Sequence, residues 1–259
     1  MRFKLEMECS QREKDSSIIL ALDAVATSRS NLLSKSLKLL EKTHFYICAV
    51  KLNHHLVLPL GLFDGVQQIL KLAHKHELPT IMDCKINDIG NTNRVIAENY
   101  YNAGFDAVIA NPFVGWKEGL QPVFEVAKRL QKGVILLCYM SHEAAWEGYG
   151  QTIQEARTGA PTLQYVAFAK KALEWNADGI VVGATYPGKI KGIAKITTDK
   201  VPIYSPGVGT QGGDVQSAVK AGARYLIVGR TILNAPNPAS IARQIREEAK
   251  LKVLKNPTL

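Results

Sequence analysis

Two aspartates and two lysines stand where apolar segments of the chain end. Asp83 and Lys85 are two residues apart, so on a strand their side chains would share one face. Asp23 and Lys51 end two earlier apolar segments, and Asp88 follows the third at a predicted helix start, where it could also be a helix cap. Charges at such positions are costly to bury unless they are paired or used in chemistry. The repeated pattern favours a functional cluster over a structural salt-bridge network.

A glycine-rich segment and an arginine supply a second set of candidate residues. Residues 205–214 read SPGVGTQGGD and open a predicted helix. The glycines would let backbone N–H groups approach an anion, and Arg230, which follows Gly229, could hold a phosphate through two hydrogen bonds. Tight turns beside a surface arginine are the alternative interpretation. Together the two features favour a phosphate site.

The elements that position these residues are short apolar segments alternating with amphipathic ones. Segments that are apolar at nearly every position are typical of parallel strands covered on both faces. We predict strands at Ser17–Asp23, Tyr46–Lys51, Thr80–Lys85, Asp106–Ala110, Val134–Tyr139, Gly179–Val182, Pro202–Tyr204 and Tyr225–Val228. We predict helices at Asn31–Lys42, Leu62–His76, Thr92–Ala103, Lys117–Gln131, Thr162–Trp175, Lys189–Thr197 and Asp214–Ala221, and an eighth from about Pro238.

Eight strand–helix units in 259 residues predict an α/β fold, a closed (β/α)₈ TIM barrel built as a single domain. A doubly wound open sheet is the alternative. Barrel active sites lie at the carboxyl ends of the strands, and phosphate often binds after the seventh and eighth strands, so both candidate sets fall at one end. Residues 16–259 form the predicted barrel, residues 1–15 a tail or short helix, and Tyr139–Pro161 an extended loop.

Composition limits the function classes. The chain is 46% apolar and 21% charged, which excludes a disordered or low-complexity protein. We find no run near the roughly 18 apolar residues of a membrane helix, and the first fifteen residues carry eight charges where a signal peptide needs an apolar core. These observations predict a cytoplasmic protein without a membrane partner.

Charge, cysteines and histidines narrow the ligand class. The net charge of +9 comes from scattered basic residues, which favours a phosphorylated small molecule over nucleic acid. The four cysteines show no C-x-x-C spacing and are interpreted as buried free thiols. The six histidines lack an H-E-x-x-H motif; His74 and His76 fall on a predicted surface helix, and we expect no metal site.

The segment Asp83–Thr92, DCKINDIGNT, resembles the D-x-K-x-x-D-I-x-x-T signature of the orotidine 5′-monophosphate decarboxylase family. Its other motifs are matched in order by Leu22-Asp23, Val50-Lys51, Met140-Ser141, the Ser205–Asp214 loop with Gln211, and Val228-Gly229-Arg230. The resemblance covers nearly the whole chain and is highly specific as a set. The compact seventh loop is more similar to archaeal, monofunctional members than to eukaryotic ones.

The resemblance implies decarboxylation of orotidine 5′-phosphate to UMP and CO₂ in de novo pyrimidine biosynthesis, with no cofactor. Lys85 would donate a proton to carbon 6, Asp83 would face the substrate carboxylate, and Lys51 would hold the array in register. Asp88, the fourth catalytic residue, and Thr92 match residues that serve the partner subunit's site, which implies a homodimer with shared active sites. The implied substrate-binding residues are Asp23, Thr92, Ser141, Pro206, Gly207, Val208, Gly209, Gln211, Gly212, Gly229 and Arg230.

Three other functions are compatible with parts of the pattern. Related sugar-phosphate decarboxylases and hexulose-phosphate synthases share D-x-K-x-x-D and use it to hold Mg²⁺, which predicts loss of activity with a chelator. A basic barrel could bind nucleic acid without catalysis, although no RRM or KH signature is present. A phosphate-binding protein could have lost its chemistry. The sequence leaves open whether Asn111, Trp146, Tyr149 or Gln151 contacts a ligand.

Overall fold

Eight parallel strands close into a barrel in the computed structural model of the chain, which describes residues 2–155 and 158–250. The order around the barrel is β1-β10-β9-β8-β5-β4-β3-β2, where β1 closes the ring by pairing with both β10 and β2. This confirms the predicted (β/α)₈ barrel and excludes the open sheet. The last residues of the predicted domain, 251–259, lie outside the described residues.

The strands are β1 (Ile18–Ala21), β2 (Ala49–Asn53), β3 (Thr80–Ile86), β4 (Ala107–Ala110), β5 (Gly133–Tyr139), β6 (Thr152–Gln154), β7 (Pro161–Leu163), β8 (Gly179–Val182), β9 (Ile203–Pro206) and β10 (Tyr225–Val228). The helices are α1 (Arg2–Glu13), α2 (Arg29–Thr43), α3 (His54–Leu60), α4 (Val66–Lys75), α5 (Gly90–Ala103), α6 (Gln121–Leu130), α7 (Ala145–Tyr149), α8 (Gln164–Glu174), α9 (Pro187–Thr197), α10 (Val215–Ala221), α11 (Arg230–Leu233) and α12 (Pro238–Lys250). The predicted sixth, seventh and eighth strands are β8, β9 and β10.

Two apolar layers result from alternation along each barrel strand. Ile19 and Ile81 point into the barrel, whereas Leu20 and Met82, their chain neighbours, pack outward under the helices. All four side chains are fully buried. The near-continuous apolar character of the strands therefore has the predicted cause, because both faces are covered.

Helix α1 closes the amino-terminal end of the barrel. Phe3 and Met7 insert into the inner layer, and the Ser10 hydroxyl donates to the Cys48 carbonyl at 2.7 Å. Gly133, at the start of β5, leaves the space that the Phe3 ring fills, because a Cβ there would lie 2.4 Å from the ring. Residues 2–13 are thus an ordered plug of the barrel rather than a tail.

Several predicted boundaries were wrong for local reasons. Strand β2 begins at Ala49 because His44–Tyr46 form a helical turn, and it continues past Lys51 to Asn53. Asp23 lies two residues beyond β1 instead of ending it. The predicted loop Tyr139–Pro161 contains α7 and strand β6, which pairs with β7 as an antiparallel hairpin. Each hairpin strand is three residues long, too short to show a periodicity.

The predicted helix Leu62–His76 is part of a longer apolar segment. Residues His54–Lys75 are long and apolar enough to cross a membrane by length and composition, so the expectation that no such stretch exists was wrong. In the barrel this segment is α3 and α4, separated by the distorted turn Gly61–Gly65, and α4 buries Val66, Ile69, Leu70 and Ala73. Packing on the barrel accounts for these four apolar residues, whereas Leu58 and Phe63 of the same segment stay exposed.

Candidate functional site

A cavity of about 560 Å³ opens at the carboxyl ends of the barrel strands. This volume lies in the usual range for small-molecule sites. Eleven of the predicted site residues line it: Asp23, Lys51, Asp83, Lys85, Ser141, Pro206, Gly207, Val208, Gln211, Gly229 and Arg230. Both candidate sets from the sequence therefore meet in one place.

Three of the four predicted charges form a continuous array. Lys51 Nζ donates to Asp83 Oδ2 at 2.8 Å, and Lys85 Nζ donates to Asp83 Oδ1 at 2.7 Å. The Lys51 side chain is only 6% exposed and that of Asp83 14%, whereas Lys85 is 37% exposed and faces the cavity. Asp83 thus joins a buried lysine to one that can reach a ligand.

Burial and charge oppose each other in this array. Burial alone would raise the pKa of Asp83, but Lys51 and Lys85 outweigh it and lower the pKa to about 2. Burial alone would lower the pKa of Lys51, but Asp83 and Asp23 outweigh it and raise the pKa. Asp83 and Lys51 are therefore both charged at neutral pH.

A backbone irregularity aims Lys85 into the cavity. Lys85 has φ +49°, which is rare for a residue with a side chain, and the β3–β4 register shifts between Met82 and Ile86. The thiol of Cys84, the residue between the two charges, lies 3.6 Å from the Ile109 carbonyl. Asp83 and Lys85 share one side of the strand as predicted, but a bulge rather than regular pleating places them there.

Asp23 belongs to a second polar chain that sequence reasoning missed. Its Oδ1 accepts from Asn53 Nδ2 at 2.7 Å, and Asn53 Oδ1 lies 2.7 Å from His55 Nδ1. His55 lines the cavity beside Asp23. Asn53 lies two residues after Lys51 on β2, and that spacing was the available signal for a shared face.

The glycine-rich loop is folded on itself. Gly209 N–H donates to Gly213 O at 2.8 Å, Gly212 N–H to Gly209 O at 2.7 Å, and Gly213 N–H to Gly207 O at 3.0 Å. Gly209 and Gly212 do not line the cavity, in contrast to Gly207, Val208 and Gln211. The first two therefore shape the loop, and their amides are already bonded within it.

Arg230 begins α11 at the cavity mouth, where it is exposed. The next residue, Thr231, connects its helix to the glycine-rich loop. The Thr231 hydroxyl donates to Val208 O at 3.4 Å and accepts from Thr210 N–H at 3.2 Å, and the two threonine hydroxyls are 3.0 Å apart. The loop and the guanidinium are thereby held as one unit with a positive charge at its edge, which suits an anionic group.

The loop after β8 holds Ser141 in the cavity wall. The Thr185 hydroxyl donates to Ser141 O at 3.1 Å, and Tyr186 OH donates to His142 O at 2.9 Å. Gly183 permits this approach, since a Cβ there would lie 2.7 Å from Ser141 Cα. Gln211 reaches the same region, with Oε1 at 2.7 Å from the position of a Cβ on Gly207.

Asp88 and Thr92 are not brought to the cavity of their own chain. Both are exposed at the start of α5, which begins at Gly90 rather than at the predicted Thr92. Asp88 Oδ1 accepts from the Ile89 N–H at 2.7 Å, and its own N–H donates to Asn93 Oδ1 at 2.9 Å. The buried Asn93 side chain also donates to Gly119 O at 2.9 Å, which fixes the loop that presents Asp88 to solvent.

The four residues left open by the sequence lie outside the cavity lining. Asn111 caps a short turn by accepting from Phe113 N–H at 3.1 Å. Trp146 is 63% exposed, and Tyr149 packs against Tyr139 with ring centroids 5.8 Å apart. Gln151 accepts from Gln164 N–H through its backbone carbonyl. The Asn111 contact stabilises the turn after β4, and the contacts of Tyr149 and Gln151 stabilise the region after β5.

The cavity carboxylates are poorly disposed to hold a divalent metal. Both oxygens of Asp83 accept from lysines, and Asp23 accepts from Asn53. A hard cation such as Mg²⁺ needs free oxygen ligands, and two ammonium groups beside Asp83 would repel it. The donor set instead suits an anionic ligand held between lysines.

Comparison with known proteins identifies one family over most of the chain. The profile of the Orotidine 5′-phosphate decarboxylase / HUMPS family matches residues 16–245. An orotidine 5′-phosphate decarboxylase of Methanosarcina acetivorans is 38% identical over 243 residues, which cover 93% of this chain and 98% of the relative.

Solved structures with the same fold include two archaeal proteins. The orotidine 5′-monophosphate decarboxylase of Methanocaldococcus jannaschii, crystallised with the inhibitor BMP, matches with a TM-score of 0.75 and 30% identity over 90% of this chain and 97% of that one. The orotidine 5′-phosphate decarboxylase of Pyrococcus horikoshii matches with a TM-score of 0.73 and 33% identity over 90% of this chain and 99% of that one.

Proposed function

The chain belongs to the orotidine 5′-phosphate decarboxylase / HUMPS family, and we propose that it converts orotidine 5′-phosphate to UMP and CO₂. The observation that favours a metal-free decarboxylase over a Mg²⁺-dependent member of the family is the hydrogen bonding of Asp83. Its two oxygens are bound by Lys51 and Lys85, which suits stabilisation of a carbanion and not coordination of Mg²⁺. The similarity to archaeal decarboxylases over nearly the full chain supports the same choice.

Decarboxylation breaks the bond between carbon 6 and the carboxylate and leaves the electron pair on carbon 6. No neighbouring carbonyl absorbs this charge, so the site itself must stabilise it. The Lys85 ammonium faces the cavity and is proposed to lie beside carbon 6, where it stabilises the developing carbanion and then donates a proton to it. CO₂ departs as a neutral molecule, protonation of carbon 6 by Lys85 gives the neutral pyrimidine of UMP, and Lys85 regains its proton from solvent.

Asp83 and Lys51 position the Lys85 ammonium for this step. Asp83 stays ionised because its pKa is about 2, so it positions the Lys85 ammonium and is proposed to face the substrate carboxylate. Contact between the two negative groups would be relieved as CO₂ departs. Lys51 is buried and balances the charge that Asp83 would otherwise leave uncompensated.

The remaining cavity residues are proposed to bind the nucleotide. Arg230 at the cavity mouth binds the phosphate, with the folded glycine-rich loop beside it. Asp23, positioned by Asn53, binds ribose hydroxyls. Ser141 and Gln211 approach one another over Gly207 and contact the pyrimidine and the phosphate side. Binding energy from the phosphate can then contribute to catalysis at the distant carbon 6.

We also propose a homodimer in which Asp88 and Thr92 complete the partner's site. Leu58, Phe63, Ile89 and Phe113 are 56–77% exposed and are named here the apolar face. The segments that carry them are linked by contacts. Helix α5, which follows Ile89, packs against the 61–65 segment that holds Phe63, and that segment also contacts α3 with Leu58. Helix α5 also packs against the 116–120 segment, which contacts the turn that holds Phe113. An exposed apolar face of this kind marks an association surface, and Asp88 lies next to Ile89 within it.

The decisive experiment follows the loss of the near-ultraviolet absorbance of orotidine 5′-phosphate on addition of purified protein, with and without EDTA. We expect rapid loss in both cases. Lys85→Ala should lower kcat by at least about 10³-fold, since it removes both a proton donor and an electrostatic stabiliser. Lys128→Ala, on the surface of α6, is the control and should retain full activity.

Three results would contradict the proposal or the role of Lys85 in it. Activity that disappears with EDTA and returns with Mg²⁺ would indicate a sugar-phosphate enzyme of the same family. A folded protein that binds UMP but leaves orotidine 5′-phosphate unchanged would indicate a phosphate-binding site without decarboxylase activity. Full activity in Lys85→Ala would remove this lysine as the proton donor.

A further inference from the structure

We propose that Glu41, His44 and His76 form a binding site for one divalent transition-metal ion on the outside of the barrel. Among the described residues these three side chains place one ligand atom each within 4.8 Å of one another. Glu41 lies on α2, His44 in the turn that follows α2, and His76 caps α4. These helix ends lead into β2 and β3, so the site lies at the opposite end of the strands from the substrate cavity.

The donor atoms are near the spacing that a bound ion requires. Tetrahedral zinc with bonds of 2.0–2.2 Å places its ligand atoms about 3.3 Å apart. His76 Nε2 and Glu41 Oε2 are already 3.1 Å apart. The two imidazole rings stack, with centroids 3.7 Å apart and planes at 18°, so one ring must tilt for both nitrogens to point at one ion. His76 follows the last turn of α4 and is less buried than His44, so it is the ring expected to tilt, and an ion would replace its present contact with Glu41.

His44 supplies the independent sign of a ligand. The residue is only 8% exposed, and its Nδ1 is buried without a hydrogen-bond partner. A buried polar nitrogen with no partner costs stability, so such groups call for an explanation. An ion bound in the cluster would stabilise both rings.

The surrounding charges indicate which metals fit. The ligand set has one carboxylate and two imidazoles, which suits Zn²⁺, Co²⁺, Ni²⁺ or Cu²⁺ and not Mg²⁺ or Ca²⁺. Lys38, Lys42 and Lys75 line the groove that Glu41 borders, and Lys14 is close enough to lower the pKa of His44. These lysines oppose any cation held by charge alone, so binding must depend on the metal–nitrogen bonds.

The test uses full-length protein freed of metal by dialysis against EDTA. Co²⁺ is titrated while its visible absorption is followed, and Zn²⁺ binding is measured by calorimetry. We expect one ion per chain, a tetrahedral cobalt spectrum and a higher thermal unfolding temperature with Zn²⁺. His76→Gln and Glu41→Gln, both on the accessible side of the cluster, should each weaken Zn²⁺ binding at least tenfold.

The control variant is His54→Gln, which removes an exposed histidine of α3 outside the cluster and should bind as wild type does. Equal Zn²⁺ affinity in wild type, His76→Gln and Glu41→Gln would overturn the proposal, as would no saturable binding by wild type up to millimolar Zn²⁺. Both cluster variants should keep normal decarboxylation of orotidine 5′-phosphate. The two proposals therefore fail independently, because metal affinity and catalysis are read separately.

Discussion

Lys85 combines a strained backbone with the ammonium that faces the cavity of the candidate site. A non-glycine residue in the left-handed region costs of the order of 1–3 kcal/mol and persists only where its surroundings impose it. Here the register shift of β3 imposes φ +49°, and the ion pair to Asp83 retains the side chain. The strain lies at the residue whose ammonium must point into the cavity, which is expected when position matters more than stability.

The charge on Asp83 makes stability depend on pH in a defined direction. The folded pKa of about 2 lies below the usual 3.8, so the stabilisation is complete above about pH 5 and fades as the pH falls toward 2. Asp83→Asn leaves Lys51 buried without its counter-charge, and we expect a loss of about 3 kcal/mol at pH 7. Urea unfolding at pH 7, 5 and 3.5 measures this difference.

The difference in the free energy of unfolding between wild type and Asp83→Asn should shrink at pH 3.5. At that pH Asp83 takes up a proton in the unfolded wild type but stays ionised in the folded one, which lowers the stability of the wild type. A difference that stays constant from pH 7 to 3.5 would contradict the assigned pKa. Asp199→Asn, an exposed position after α9, is the control and should change stability by less than about 0.5 kcal/mol at pH 7.

Side-chain chemistry at the site was predictable where it depended on spacing along one strand. The separation of two residues correctly predicted that Asp83 and Lys85 lie together, although the bulge at Lys85 that aims the ammonium could not be read from spacing. The partner of Asp23 was not predictable in the same way, because the prediction ended β2 at Lys51 and so omitted Asn53. The bonding of the Gly209 and Gly212 amides depends on how the loop folds back, which composition does not specify.

Among the elements, the glycine-rich loop depends on Thr231 for its attachment to α11. Thr231→Val keeps the side-chain shape and removes the hydroxyl that bonds Thr210 and Val208. Loss of such a bond is worth about 1 kcal/mol, so we expect KM to rise about fivefold with a smaller change in kcat. Arg230→Ala should raise KM further, because it removes the phosphate-binding charge itself.

Thr231→Ser retains the hydroxyl and should restore the wild-type KM, which separates hydrogen bonding from packing. Inhibition by inorganic phosphate provides a second measurement, since a loosened loop should weaken the binding of phosphate and of substrate alike. An unchanged KM in Thr231→Val would show that the loop keeps its shape without this contact.

Helix α1 contributes to stability and not to the site. Phe3 is fully buried at the amino-terminal end of the barrel, whereas Leu5 on the same helix is 61% exposed. Phe3→Ala should lower the free energy of unfolding by about 3–5 kcal/mol, and Leu5→Ala by less than about 0.5 kcal/mol. Urea denaturation measures both. A reduced kcat in folded Phe3→Ala would contradict the conclusion that α1 stabilises the barrel without affecting the candidate site.

Element types were more predictable than element ends. The apolar runs of the strands and the amphipathic pattern of the helices predicted the type of these elements. Residues 1–15 were predicted only as a tail or short helix, because nothing in the local sequence indicates what Phe3 and Met7 pack against. The hairpin of β6 and β7 and the break at Gly61–Gly65 were missed because three-residue strands and a distorted turn carry no period.

At the scale of the whole molecule, the barrel followed from eight repeated units, whereas association does not follow from periodicity. The apolar face combines Leu58, Phe63, Ile89 and Phe113, which lie in separate segments of the chain and are exposed in the fold. Asp88 precedes Ile89, and neither Asp88 nor Thr92 lines the cavity of its own chain. The proposed site shared between two copies would use both residues.

Subunit mixing tests this arrangement. Asp83→Asn and Asp88→Asn should each be inactive alone, but a mixed dimer has one site with Asp83 from one chain and Asp88 from the other. Random exchange makes half of the dimers mixed, each with one of two sites intact, so recovered activity should approach about a quarter of wild type. Native mass spectrometry confirms exchange, and Asp83→Asn mixed with Asp83→Asn is the control. No recovery despite confirmed exchange would place Asp88 in its own chain's site or outside catalysis, because only a site built from two chains can be restored by mixing.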